Sequence, residues 1–196
     1  MKTIKINIDN FKKQEIDLVV DFLKKGKVIV YPTDTIYGLG CLATDKKAID
    51  KIYRIKKREK KKPLIIFVSD FKMLAKYSIF DSVQKKFLKQ IWPGPISVIL
   101  NKKGKLLDEL SGGLSSVAVR LPKSRFLTKI IKGVGCPLVS TSLNLSGEKP
   151  LYKVDDLDEF FKGLKPDLIV DFGVKYSQPS KLIDLRDIND IKILRK

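Results

Sequence analysis

The residues with usable chemistry in this sequence fall into four stretches, and none of them contains an imidazole. KKREKKK, from Lys56 to Lys62, sets six cations in seven residues and breaks at Pro63 into the apolar run PLIIFV. Like charges crowded beside a buried segment repel, and a strongly negative ligand would relieve the repulsion. Two or three of them have a plainer purpose at a helix C-terminus, where the dipole favours cations. On charge alone a solvated face and a phosphate site both remain open, the solvated face being the simpler.

The second stretch, STSLNLSGEKP (Ser140 to Pro150), offers hydroxyls at Ser140, Thr141, Ser142 and Ser146 and an amide at Asn144 just after a strand. Loops at that position bind ligands in α/β sheets, although Ser, Asn and Gly also populate ordinary turns. In YPTDTIYGLG (Tyr31 to Gly40), Thr33, Asp34 and Thr35 follow a buried strand and lead into a glycine-bearing turn. Its glycines permit close backbone approach, and a turn held by Asp34 is an equally simple account. Neither a P-loop nor a complete dinucleotide fingerprint occurs in the chain. Finally, Arg120 ends the strand VAVRLP, which should bring its guanidinium out at a sheet edge to grip a carboxylate or phosphate in fork geometry, or to make an ion pair with one of the 22 acids.

With no histidine in 196 residues, imidazole-dependent hydrolases, His-ligated metal sites and zinc deaminases are excluded. Two cysteines, Cys41 and Cys136, are too few for a disulfide scaffold or a thiolate zinc site. A net charge of +18 favours an anionic partner, nucleotide or nucleic acid, but KKREKKK carries +5 of it and the remaining +13 is dispersed. No apolar run approaches the roughly 18 residues of a membrane span, and charge interrupts the N-terminus before a signal core could form. A cytoplasmic protein is expected.

The elements that must position these groups alternate. TIKINI and VIVYPT read as strands, and EIDLVVDFLKKGK between them as a helix with Ile16, Val19, Val20 and Leu23 on one face. TDKKAIDKIYRIKKR is a second helix, with Thr44 as its cap, leading to strand PLIIFV. DFKMLAKY and DSVQKKFLKQIW are helices ending at PGP. ISVIL and SVAVRL are strands, SRFLTKIIKGVG an amphipathic helix and PLVST a strand; one helix and two or three strands complete the chain. The prediction is an α/β fold, a mixed sheet covered by helices, with residues 1–196 as one domain. SGEKPLYK and GVKYSQPS are expected to be the most mobile segments.

In their order, the stretches KGKVIVYPTDTIYGLGCLA, IKKREKKKPLIIFV, WPGPISVIL, VAVRLP, PLVSTSLNLSG, DFG, PSKLIDL and ILR resemble the YrdC family, the L-threonylcarbamoyladenylate synthases. The family's K-x-R and S-x-N pairs correspond to Lys56 and Arg58, then Ser142 and Asn144. The resemblance implies a twisted sheet around a large basic cavity. It implies a reaction in which bicarbonate and L-threonine form a carbamate that attacks the α-phosphate of ATP, expelling pyrophosphate. The product, threonylcarbamoyl-AMP, then goes to a threonylcarbamoyl transferase complex that modifies tRNA beside the anticodon. It also implies residue roles. Lys56, Arg58 and Lys62 hold the triphosphate, with Ser140, Ser142 and Asn144 beside it and Mg²⁺ held mainly by the phosphates. Ser180 and Arg195 line the nucleotide side, and Thr35, Phe67 and Arg120 the threonine side, with Arg120 on the carboxylate.

Three residues depart from the family's pattern: Phe67 stands where many relatives have a histidine touching threonine, Leu143 where alanine is usual and Lys181 where threonine is usual. Two other readings compete. A non-catalytic module binding double-stranded RNA or tRNA would use the same charge, but gives no reason to combine Thr35, Arg120, Ser142 and Asn144 with K-x-R. The related domain of hydrogenase-maturation carbamoyltransferases is accompanied by further domains for which this sequence has no room.

Overall fold

The computed structural model describes all residues except Ile8, Lys105, Asp156, Lys162, Lys175, Tyr176 and Lys196, and Asp158 and Glu159 by backbone alone. Among the described residues the strands are β1 (Lys2–Lys5), β2 (Ile29–Pro32), β3 (Tyr37–Gly40), β4 (Ile65–Phe67), β5 (Ser78–Ile79), β6 (Ile96–Lys102), β7 (Ser116–Arg120), β8 (Leu138–Ser142), β9 (Leu168–Asp171), β10 (Lys181–Asp184) and β11 (Lys192–Arg195). The helices are α1 (Lys13–Lys24), α2 (Lys46–Lys56), α3 (Phe71–Tyr77), α4 (Ser82–Ile91), α5 (Asp108–Ser111), α6 (Arg125–Val134) and α7 (Leu157–Phe160). All the strands join one mixed sheet in the order β1-β9-β2-β3-β8-β4-β7-β6-β10-β11, with β5 paired to β6.

Period-two alternation decides what each face of the sheet does. Ile66 of β4, Val98 and Leu100 of β6, Val117 and Val119 of β7, Val139 of β8 and Ile183 of β10 point into one core, which α2 and α4 close with Ile49, Ile52 and Leu88. On the other face, Ile29 and Tyr31 of β2 and Leu168 and Val170 of β9 pack under α1 (Ile16, Val19, Leu23) and α6 (Phe126, Leu127, Ile130, Ile131). Those two helices cover one end of that face. At the other end its outward positions, Ile65, Ile99, Ala118, Ser140 and Leu182, form the floor of a cavity.

The local reasons are legible. Asp70, Asp81 and Ser124 cap α3, α4 and α6 by accepting from the backbone N–H groups of Met73, Gln84 and Leu127. Gly135 ends α6 in the left-handed conformation, at φ 76°.

Several expectations are corrected. The cap of α2 is Asp45, which accepts from Ala48 N at 3.0 Å, and not Thr44. YGLG is strand β3 rather than a turn. Its glycines are there for packing, because a Cβ on Gly40 would lie 2.1 Å from the Val139 carbonyl oxygen and 2.8 Å from the Tyr31 ring. Strand β8 runs one residue past the expected PLVST, so Ser142 lies within it together with Ser140 and Thr141. Of the two segments expected to be mobile, SGEKPLYK is tied by Leu151 N donating to Leu143 O (2.8 Å), while Lys175 and Tyr176 of GVKYSQPS lie outside the described residues.

Candidate active site

The cavity on the open half of the sheet has a volume of about 570 Å³. Its walls come from five places: the β2–β3 turn, the segment from α2 to β4, the end of β7, β8 with the loop after it, and the C-terminal β10 and β11. Of the residues singled out in the sequence, it brings together Thr35, Arg58, Lys62, Phe67, Arg120, Ser140, Ser142, Asn144, Ser180 and Arg195. Arg58, Lys61, Lys62, Arg120 and Arg195 face Glu148 as the single acid among the described lining residues, so the cavity is strongly cationic.

Lys56 is the exception. It is 1% exposed and does not line the cavity. Its Nζ donates to Ser142 O (2.6 Å), Asn144 O (2.8 Å) and Asn144 Oδ1 (2.7 Å), a complete set of acceptors for an ammonium. Its own carbonyl accepts from Ser146 N at 2.9 Å. The expected triphosphate ligand thus lies beneath the S-x-N loop and holds it in shape. Burial, with a smaller contribution from Arg58, pulls this ammonium down to about 7 from its ordinary 10.5.

Helix geometry places it there. Lys56 follows Ile49 by seven residues and Ile52 by four, so it continues the buried face of α2. Lys57 then turns left-handed at φ 49° and sends Arg58 to the other side. Arg58 is braced from behind by Nε donating to Lys62 O (3.2 Å) and Nη2 to Pro63 O (2.9 Å), which leaves donors for the cavity. Lys62 is exposed and pairs with Glu59 at 2.8 Å. Such a surface pair contributes little and gives way readily to a better anion.

The hydroxyl and amide groups form one network. Ser142 Oγ donates to Asn144 Oδ1 (2.6 Å), and Asn144 Nδ2 donates to Glu148 O (2.6 Å), keeping one N–H for the cavity. At the far end, Arg195 donates from Nε to Ser180 O (2.9 Å) and from Nη2 to Ser180 Oγ (3.1 Å). Ser97 and Ser180 hydroxyls lie 2.9 Å apart.

Arg120 does not emerge at a sheet edge. Strand β7 is interior, flanked by β4 and β6, and Arg120 is 2% exposed. Nε donates to Gly94 O (3.0 Å), Nη1 to Thr35 Oγ1 (3.2 Å) and Nη2 to Asp34 Oδ1 (2.6 Å). The structural ion pair is therefore present, and the guanidinium still borders the cavity. Desolvation lowers its pKa, and Asp34 works against that. Phe67 stands next to it in register, with the Arg120 Cζ 5.4 Å from the ring centroid, so an aromatic face meets the cation.

Among the lining residues, Thr33, Lys61 and Glu148 lay within stretches singled out in the sequence without being given a role. Thr33 was visible in PTDT, where its Oγ1 now donates to Ile36 O (2.6 Å) and accepts from Thr35 N (3.0 Å). The apolar floor residues, Ile65, Ile99, Ala118 and Leu182, carry no chemical signal and become part of the site through strand alternation alone.

A mixed α/β sheet whose open face carries a cationic, hydroxyl-rich cavity has the charge and donors that suit an anionic small molecule. The chain belongs to the Sua5/YciO/YrdC family, whose pattern, described as Sua5_yciO_yrdC, telomere recombination, matches residues 21–196. It is 34% identical over 183 residues to a threonylcarbamoyl-AMP synthase of Blochmanniella pennsylvanica, covering 92% of each chain. It superposes on Escherichia coli YciO with a TM-score of 0.89 at 29% identity, covering 100% of this chain and 96% of that one. It superposes on Pyrococcus abyssi Sua5 complexed with L-threonine with a TM-score of 0.87 at 30% identity, over 94% of this chain but 54% of the longer Sua5.

Proposed function

We propose that this chain is a threonylcarbamoyl-AMP synthase, acting as one domain over residues 1–196 in the cytoplasm, that converts ATP, L-threonine and bicarbonate to threonylcarbamoyl-AMP and pyrophosphate. The observation that carries this reading is the cavity itself. It sets Arg58, Lys61, Lys62, Ser142 and Asn144 at one wall and Thr35, Phe67 and Arg120 at another, in a chain similar to synthases.

On this reading Arg58 and Lys62 neutralise the triphosphate, and the Asn144 amide donates to a phosphate oxygen. Ser142, whose hydrogen is engaged by Asn144, redirects it when phosphate arrives. Arg195 and Ser180 hold the nucleotide side, with Ser140 on the floor between. Arg120 and Thr35 take the threonine carboxylate, and Phe67 lies against its side chain. The carbamate oxygen forms a bond to the α-phosphorus as the bond to pyrophosphate breaks. The protein's part is to bring two anions together and to stabilise charge on the phosphate oxygens, work for cations and neutral donors. Absence of imidazole is no obstacle, because the carbamate is already a nucleophile.

Among the described residues no group of three His, Cys, Asp or Glu side chains is placed to hold a metal ion. The residues present do not fit a resident ion, and Mg²⁺ on this reading arrives on the phosphates. Among the described residues no helix is long and apolar enough to cross a membrane. A threonylcarbamoyl transferase complex acting on tRNA would consume the product.

The test is pyrophosphate release from ATP, Mg²⁺ and bicarbonate, with and without L-threonine. Threonine-dependent release that Arg58→Ala reduces about a hundredfold or more supports the synthase. No release at any threonine concentration, with tight RNA binding instead, would favour the non-catalytic binding module.

A further inference from the structure

Asp34 is a nearly buried acid that the mechanism above leaves idle. Its side chain is 10% exposed, and both of its oxygens are engaged: Oδ1 accepts from Arg120 Nη2 at 2.6 Å and Oδ2 from the backbone N of Lys123 at 2.8 Å. It borders not the main cavity but a second hollow of about 410 Å³ on the other side of the β2–β3 turn, with Lys123, Ser124 and Arg125. Arg120 borders the main cavity, so this one ion pair spans the wall between the two.

A guanidinium has five N–H groups. Three are taken by Gly94 O, Thr35 Oγ1 and Asp34 Oδ1, which leaves one on each terminal nitrogen. Two N–H groups on the two terminal nitrogens are what a carboxylate accepts in fork geometry. The carboxylate of Asp34 is itself held by the backbone amide of Lys123, in the bend just before the Ser124 cap of α6, so a main-chain donor fixes the group that aims the guanidinium.

We propose that Asp34 is a positioning residue for amino-acid recognition: by occupying one N–H of Arg120 from behind the wall, it aims the remaining pair at the substrate carboxylate. It touches neither ATP nor the reacting atoms. This rests on the reading that Arg120 binds threonine. A competing effect would have the opposite sign, since an acid beside Arg120 also weakens its pull on a second anion, and the experiment separates the two.

Asp34→Asn, Asp34→Ala, Arg120→Ala and the Asp34→Ala/Arg120→Ala pair are assayed for pyrophosphate release as functions of threonine and ATP. Asp34→Asn keeps an acceptor for Arg120 if Asp34→Ala folds poorly. Asp34→Ala is expected to raise KM for threonine about tenfold, and Asp34→Asn, which keeps an acceptor for Arg120, by about two- to threefold, while KM for ATP stays within about twofold in both. In the Arg120→Ala background, removing Asp34 should change nothing further. The Arg120 Nε–H resonance in a ¹⁵N spectrum, read without substrate, should move in Asp34→Asn.

An unchanged or lowered KM for threonine, or equal losses for threonine and ATP, or the same loss with and without Arg120, would overturn the inference and leave the synthase standing. A wild-type protein with no threonine-dependent release would overturn the threonine reading, and this inference with it.

Discussion

Lys56 and Arg58 stand two residues apart in one basic run and end in different environments, one under the S-x-N loop and one at the cavity wall. Replacing Lys56 by Met takes the ammonium from the Ser142 and Asn144 carbonyls in the interior and leaves Asn144 Oδ1 with Ser142 Oγ as its donor, which costs about 3 kcal/mol. Urea unfolding should show that loss and thermal unfolding a fall of roughly 6–12 °C, whereas Arg58→Ala should lose activity with little change in either. The same lysine predicts a pH effect. Its folded pKa of about 7 lies below the unfolded 10.5, so between those values the unfolded state binds the extra proton and stability rises with pH. Compared over pH 7 to 9.0, below the ordinary cysteine value at which the buried Cys41 begins to act in the opposite sense, wild type should gain stability relative to Lys56→Met. Parallel slopes would show that Lys56 does not titrate there. The basic run was plain in the sequence, and resemblance paired Lys56 with Arg58. Their separation was legible too, because Lys56 falls at helical spacing from Ile49 and Ile52, but only once the end of α2 was placed at the left-handed Lys57.

At the scale of elements, β3 and the two-residue β5 are strands that sequence reasoning missed, and β3 is the one that borders the site. Glycine is a poor strand former, and YGLG has the composition of a turn. Its glycines are required because β2 and β8 close on both sides: Tyr31 Oη donates to Val139 O at 3.2 Å, across the space a Cβ on Gly40 would fill. Gly40→Ala should therefore destabilise by about 2–3 kcal/mol, while Gly104→Ala, with nothing within 4 Å of the new methyl group, should stay within about 0.5 kcal/mol of wild type. Denaturant midpoints for the two decide it, and equal values would mean that β3 shifts freely to accommodate a side chain. Where β-branched and leucine-rich runs met capping residues, as in α3, α4 and α6, local signals sufficed, because each cap bonds within three residues of itself.

For the whole molecule, the charge of +18 and the cavity are separate properties. Most lysines lie outside the cavity, so non-specific RNA affinity should fall steeply between about 50 and 200 mM salt, while the KM for threonine, which the proposed function assigns to the nearly fully buried Arg120, should change less than about threefold. Filter binding and the pyrophosphate assay across the same salt series test this; parallel losses would place substrate recognition on the exposed charge. The sequence by itself determined the alternating α/β class, most helix limits and the exclusion of imidazole chemistry, since these depend on composition, periodicity and contacts a few residues apart, while the polar groups expected at the site came from the ordered resemblance to the YrdC family. Only the tertiary structure decided that Lys56 lies beneath the loop, that Arg120 is interior and tied to Asp34 86 residues away, and that Ile65, Ile99, Ala118 and Leu182 share a floor. Those facts depend on which strands become neighbours, and pairing between distant segments is set by the packing of the whole sheet, not by any local run of residues.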